Sequence, residues 1–232
     1  MNDLTATTLN VIERQPKAGQ ANASIIWLHG LGASGDDFVP VIPRINLSDD
    51  INMRFVFPHA PIRSIAYFNG ESMPAWYDFS IEGVARKVDE THLKTMVQSI
   101  EGLIEHELSL GIHSERIFIA GFSQGGALAY ETVLNNKYTL AGLLAMSTYL
   151  PKAQSLQTTP LALDFPMKIF HGTQDDVVPM SLGNSSIEAL KQKGFDPKVN
   201  TYEMAHTVCL EQLDDISQFL NTVLADTKGL NK

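Results

Sequence analysis

Short, almost wholly apolar runs recur along this chain, separated by segments in which apolar residues return at every third or fourth position. Ser24 to His29, Arg54 to Phe57, Ile117 to Ala120, Leu140 to Ser147 and Met167 to Phe170 are of the first kind. Runs this short, without polar alternation, predict strands buried on both faces. Thr7 to Arg14 alternates weakly through Leu9 and Val11 and predicts an edge strand, and Lys198 to Tyr202 predicts a further short one. Asp89 to Leu110 is of the second kind. Leu93, Met96, Val97, Ile100, Leu103, Ile104 and Leu108 share one helical face, and Gly111 is placed to end the helix. Further helices are predicted over Ala127 to Leu134, over Ser186 to Lys193 up to Gly194, and over Cys209 to Leu224, with Asp36-Asp37-Phe38 opening another. Strands that alternate with helices predict an α/β fold with a mostly parallel central sheet and helices on both faces. Ala60 to Ser80 fits neither pattern. It holds Pro61, Gly70 and Pro74 beside Tyr67, Phe68, Trp76, Tyr77 and Phe79, and irregular segments of such length are often functional.

One junction carries candidate chemistry. The apolar run from Ile117 stops at Gly121-Phe122-Ser123-Gln124-Gly125, and a helix follows. G-x-S-x-G between a strand and a helix is the layout of a nucleophile elbow. The turn must be too tight for neighbouring side chains, so glycine flanks the serine on both sides. The hydroxyl is then presented at the carboxyl end of the strand, beside the first amides of the helix.

In a parallel sheet the loops at the strands' carboxyl ends converge. Three of those loops carry unusual polar residues: the one at His29, the turn at Ser123 and the one at Asp175. A serine nucleophile needs a base and a carboxylate that orients the base. On α/β sheets of this kind they follow in the order Ser, Asp or Glu, His. His206 is the only histidine after the Asp175 region, which makes it the expected base. Asp175 and Asp176 both follow a strand end directly, and spacing alone leaves the choice between them open. An oxyanion needs two backbone donors. The amide of Gln124 is one, and the Gly30-Leu31-Gly32 loop is expected to supply the other at Leu31. A phosphate-binding reading of that loop lacks a following lysine.

Composition narrows the classes. The chain has 232 residues, 44% of them apolar, and a formal net charge of −9. One α/β domain over residues 1–232 is expected. An acidic chain without a Lys/Arg-rich block argues against a nucleic-acid partner. The single cysteine, Cys209, excludes an intrachain disulfide framework and a cysteine-rich zinc site. Residues 1–14 do not read as a signal peptide, and the longest clear apolar run, about Leu140 to Met146, is too short to span a bilayer. A cytoplasmic protein is expected, with neither metal nor organic cofactor.

The chain resembles the acyl-protein thioesterases and the small bacterial carboxylesterases and lysophospholipases related to them. The resemblance rests on Trp27-Leu28-His29-Gly30-Leu31-Gly32, Phe57-Pro58-His59-Ala60-Pro61, Met73-Pro74-Ala75-Trp76-Tyr77-Asp78, the Ser123 turn, His171-Gly172-Thr173-Gln174-Asp175-Asp176-Val177-Val178-Pro179, and Met204-Ala205-His206. It implies an α/β-hydrolase fold without a large cap domain, since Leu150 to Pro166 leaves room only for a loop. The H-G-x-x-D-x-x-V-P pattern implies Asp175 as the carboxylate beside Ser123 and His206, and supports Leu31 and Gln124 as oxyanion donors. Ala33 stands where the family often has aspartate; the donor there is a backbone amide, so little change in chemistry is expected. The implied activity is hydrolysis of carboxylic esters or thioesters of acyl groups, small or protein-linked, through an acyl-enzyme. Lysophospholipase activity, or a ligand sensor with little turnover, is the alternative. The aromatic segment from Ile62 to Phe79 is expected to line an acyl channel, with Met73 and Trp76 as substrate-binding candidates and Trp76 expected to be mainly structural. Transient contact with lipid and a homodimer packed near the site's mouth are further expectations from the resemblance.

Overall fold

The computed structural model describes residues 7–17, 19–82, 85–153, 156 and 163–227. In chain order its elements are β1 (Val11–Arg14), β2 (Ala23–Leu28), a 3₁₀ segment (Gly35–Arg44), β3 (Met53–Pro58), β4 (Ile62–Ile65), β5 (Glu71–Pro74), β6 (Phe79–Glu82), β7 (Ala85–Val88), α1 (Glu90–Ser109), β8 (Ile117–Phe122), α2 (Gln124–Leu134), β9 (Gly142–Met146), β10 (Met167–Gly172), α3 (Met180–Gln192), β11 (Lys198–Tyr202) and α4 (Leu210–Asp226). Seven strands form the central sheet in the order β1-β3-β2-β8-β9-β10-β11. Only the edge pair β1 and β3 is antiparallel; the rest are parallel.

The continuous apolar runs follow from this layering. Along β2, Ile26 and Leu28 enter one core while Ile25 and Trp27 enter the other. β8 and β9 divide in the same way, with Ile117, Ile119, Leu143 and Ala145 on one side and Phe118, Ala120, Leu144 and Met146 on the other. A strand whose side chains alternate between two dry layers has no polar positions to display. The helices α1, α2 and α3 cover the first core. The second is covered by α4 through Leu213, Ile216, Leu220 and Leu224, and by Phe38 of the 3₁₀ segment.

α1 forms where its periodicity places it. Asp89 caps it by accepting from the His92 amide at 2.8 Å, and Gly111 follows its end at φ 89°. α3 begins at Met180, well before the expected Ser186. The Gly183-Asn184-Ser185-Ser186 stretch has the composition of a loop, but a Cβ on Gly183 would lie 2.9 Å from Nδ1 of buried His171. The missing side chain lets α3 pack onto β10. The aromatic segment contains two small antiparallel hairpins, β4 with β5 and β6 with β7. The second extends past Ser80 and was not expected. Much of the loop between Leu150 and Pro166 lies outside the described residues. Among the described residues, no helix is long and apolar enough to cross a membrane.

A charge network joins β1, β3 and α1, with Arg54 Nη2 lying 2.5 Å from Glu13 Oε1. Arg54 Nε donates to both Glu107 carboxylate oxygens at 3.1 and 3.0 Å, and the two side chains are 4% and 1% exposed. A buried pair of this kind adds little over apolar packing, but removing one partner strands the other. Arg54→Met therefore lowers the unfolding free energy by about 3–5 kcal/mol, to be measured by urea denaturation. A change below about 1 kcal/mol, the range of exposed pairs, contradicts this account.

Candidate active site

The site begins at the turn between β8 and α2. Ser123 holds φ 55° and ψ −120°, a conformation that serine rarely adopts. The turn is held by its neighbours: the Ser123 amide donates to Met146 O at 2.9 Å, and Thr148 Oγ1 donates to Ser123 O at 2.6 Å. A Cβ on Gly125 would meet His29 O at 2.4 Å and Leu28 O at 2.5 Å. The helix therefore starts in backbone contact with the end of β2, and only glycine fits. Gln124 is the first helical residue, so its N–H has no acceptor within α2.

The adjoining loop is fixed by a histidine. His29 is fully buried at the end of β2. Its Nδ1–H donates to Gly30 O at 2.7 Å, and Nε2 accepts from the Ala60 amide at 3.0 Å. One nitrogen must donate and the other accept, so the ring is neutral. Burial lowers its pKa from the usual range, against an opposing effect of the Gly30 hydrogen bond. The loop is further pinned by Gly32 N donating to Pro74 O at 2.8 Å. Leu31 lines the cavity beside Gln124, Ser123 and His206.

The carboxylate loop follows β10. The Asp175 side chain is completely buried and uses both oxygens. Oδ1 accepts from the amides of Val177 at 3.0 Å and Val178 at 2.8 Å, and Oδ2 accepts from His206 Nδ1 at 2.7 Å. Asp176 is exposed. This settles on geometry which of the two aspartates meets His206. Gly172 makes the approach possible, since a Cβ there would lie 2.3 Å from Met204 O and 2.6 Å from Ala205 O, just before His206. His171 stands behind, with Nε2–H donating to Val178 O at 2.8 Å. The His206 ring lies 4.7 Å from that of Phe122 and is 16% exposed, on the cavity side.

The cavity measures about 630 Å³. Its apolar wall includes Phe38, Tyr67, Phe68, Phe79, Phe122 and Tyr149. Tyr67 stacks on Phe79 at 5.3 Å, so part of the aromatic segment does face this space. Trp76 and Met73 are not among the lining residues. Trp76 is fully buried, and its Nε1–H donates to His29 O at 2.7 Å. Met73 packs partly buried against the core, near Gly32. Both therefore pack against the loop that carries Leu31. The buried Gln124 side chain has a further task beyond that expected of its amide. Its Oε1 accepts from the Trp76 amide and its Nε2 donates to Tyr77 O, both at 2.8 Å. Tyr77 is itself buried, which raises its pKa well above the usual phenol range, and its hydroxyl lies 3.1 Å from that of Tyr149. Sequence reasoning missed Phe38, Tyr149 and Arg86 as lining residues. Each comes from a different segment, and no local pattern marks them.

The chain matches the phospholipase/carboxylesterase family over residues 9–224. Acyl-protein thioesterase 1 of Neurospora crassa is 36% identical over 222 residues, covering 88% of this chain and 88% of that protein. Among solved structures, SOBER1 of Arabidopsis thaliana superposes with a TM-score of 0.81 at 30% identity, covering 88% of this chain and 100% of that one. Acyl-protein thioesterase 2 of Zea mays gives a TM-score of 0.81 at 26% identity, covering 93% and 99%.

Replacing Gln124 by Met keeps the backbone amide and the volume but leaves the Trp76 amide and the Tyr77 carbonyl unpaired in the core. Each costs about 1–3 kcal/mol. Gln124→Met is expected to lower stability by about 2–4 kcal/mol in chemical denaturation. A near-neutral result contradicts the bracing role of the side chain.

Proposed function

We propose, on the premise that this chain belongs to the phospholipase/carboxylesterase family of α/β-hydrolases, that Ser123, His206 and Asp175 are its catalytic triad and Leu31 and Gln124 its oxyanion donors. The protein is a hydrolase of carboxylic ester or thioester bonds. The observation that carries the residue roles is the 2.7 Å bond from His206 Nδ1 to a fully buried Asp175 carboxylate, on the cavity that also holds Ser123 at φ 55°.

Donation from Nδ1 to Asp175 leaves the Nε2 lone pair of His206 free to take the Ser123 proton as Oγ attacks the acyl carbonyl. The carbonyl oxygen becomes an oxyanion, and the amides of Leu31 and Gln124 hold it. Such a donor contributes about 3 kcal/mol of transition-state stabilisation. His206 then passes its proton to the departing thiolate or alkoxide. Water, deprotonated by the same imidazole, releases the acid from the serine. Two backbone amides and the imidazole N–H hold the Asp175 carboxylate, which keeps the His206 ring in this orientation.

The cavity's aromatic wall suits an acyl chain, and the names of the relatives support an acylated protein as the substrate. Small acyl esters present the same carbonyl and serve as assay substrates. A hydrolase-fold sensor would give at most one slow turnover, whereas repeated turnover is expected here.

Ser123→Ala is expected to abolish p-nitrophenyl ester hydrolysis and labelling by a fluorophosphonate; either one persisting in the pure variant removes Ser123 from its role. Asp175→Asn should cut kcat by about 10⁴-fold. Asp176→Asn should cost far less, and the reverse ranking in steady-state kinetics overturns the assignment.

A further inference from the structure

One cation lies on the cavity wall without a use in the reaction just described. Arg86 is on β7, across from Ile81 of β6, and reaches back over the cavity. Its guanidinium lies 5.0 Å from the Tyr149 ring centroid and 5.8 Å from that of Phe79. Nη2 donates to Val177 O at 2.6 Å. That one contact orients the fork and, among the described residues, leaves Nε and Nη1 without acceptors. Among the described residues, no carboxylate lies within ion-pair distance of Arg86. The two aspartates that share the cavity do not compensate it. Asp37 accepts from the Ser34 amide at 2.6 Å as part of a helix cap, and Asp176 is exposed to solvent.

The guanidinium of this half-buried side chain lies beside two rings and keeps donors that the described residues leave open. In a chain with a net charge of −9, a free carboxylate partner was available in composition but is not placed there. Arginine's planar fork matches the oxygens of a carboxylate or phosphate, which can be held by two parallel hydrogen bonds. Ser123 and His206 open onto the same cavity, so a molecule seated on Arg86 shares its space with the reacting groups.

We propose that Arg86 is a specificity-determining residue that binds an anionic oxygen group, carboxylate or phosphate, carried by the substrate away from the scissile carbonyl. The proposal rests on the hydrolase reading above. The anion has two chemical sources. It is either the terminal carboxylate of a dicarboxylic acyl group or the phosphate of a glycerophosphate leaving group. Tyr149 and Phe79 hold the guanidinium in place, and Val177 O sets its orientation.

The test compares matched pairs of substrates on the unaltered protein, Arg86→Met and Arg86→Lys. On the acyl side the pair is the butyryl and glutaryl thioesters of N-acetylcysteamine. On the leaving-group side it is a monoacylglycerol and the lysophosphatidate with the same acyl chain. The quantity read is the ratio of kcat/KM, anionic over neutral. Arg86→Met is expected to lower that ratio at least about tenfold in one pair, mainly through KM, because a charge-assisted bond is lost. Arg86→Lys should recover part of it by keeping the charge. The pair that responds identifies the source of the anion. A ratio unmoved in both pairs, with anionic and neutral substrates losing alike, reduces Arg86 to a structural tether and overturns the proposal. Should the unaltered protein turn over none of the four, the hydrolase reading fails separately. Calorimetry of glutarate and glycerol 3-phosphate on Ser123→Ala then decides the matter. Binding that Ser123→Ala/Arg86→Met loses sustains the anion site, and no binding overturns it.

Discussion

The site depends first on the contact between the start of α2 and the carboxyl end of β2. There Gly125 leaves no room for even a methyl group above the carbonyls of Leu28 and His29. That approach forces Ser123 into its left-handed turn and sets Gln124 beside the Leu31 loop. The same His29 carbonyl receives the Trp76 indole, while the Gln124 side chain binds the backbone of Trp76 and Tyr77. Three segments distant in sequence thus meet at one point. The Trp76 indole and both ends of the Gln124 amide side chain have partners there, which is the condition for a buried polar network to be rigid and not costly. A site that must hold two amides toward one oxygen depends on that rigidity.

The second half of the site follows a similar logic with charge in place of close packing. A carboxylate buried as fully as that of Asp175 is tolerable only when its oxygens are satisfied, and the amides of Val177 and Val178 and the ring of His206 do this. The loop that provides those amides also offers Val177 O to Arg86. The hairpin of β6 and β7, which walls the cavity, is thereby linked through one loop to the proposed base. Wall and chemistry share a support, so substrate selection and catalysis are mechanically adjacent in this fold.

Much of this was legible in the chain. Strands buried on both faces announce themselves as unbroken apolar runs, and α1 by its period, because burial is read out residue by residue. The elbow is equally local, since its glycines answer to sterics within a few residues. The failures share one cause. Gly183 and its neighbours looked like a loop because the reason for a glycine there is the His171 ring on another element. Gln124 was valued for its amide alone, and its side chain turned out to join two segments.

The sequence by itself determined the order of strands and helices, the turn at Ser123 and the chain order of serine, aspartate and histidine. These rest on side-chain volume, polarity and backbone freedom, which belong to each residue and its near neighbours. Only the tertiary structure decided that Asp175 and not Asp176 meets His206, and that Tyr149 and Arg86 share a cavity with Ser123. It also decided that the Trp76 indole binds the His29 carbonyl and that Met73 packs near Gly32. The partner of a buried polar group is set by which loops converge at the end of the sheet. That convergence is a property of the packed layers, and no single stretch of chain contains it.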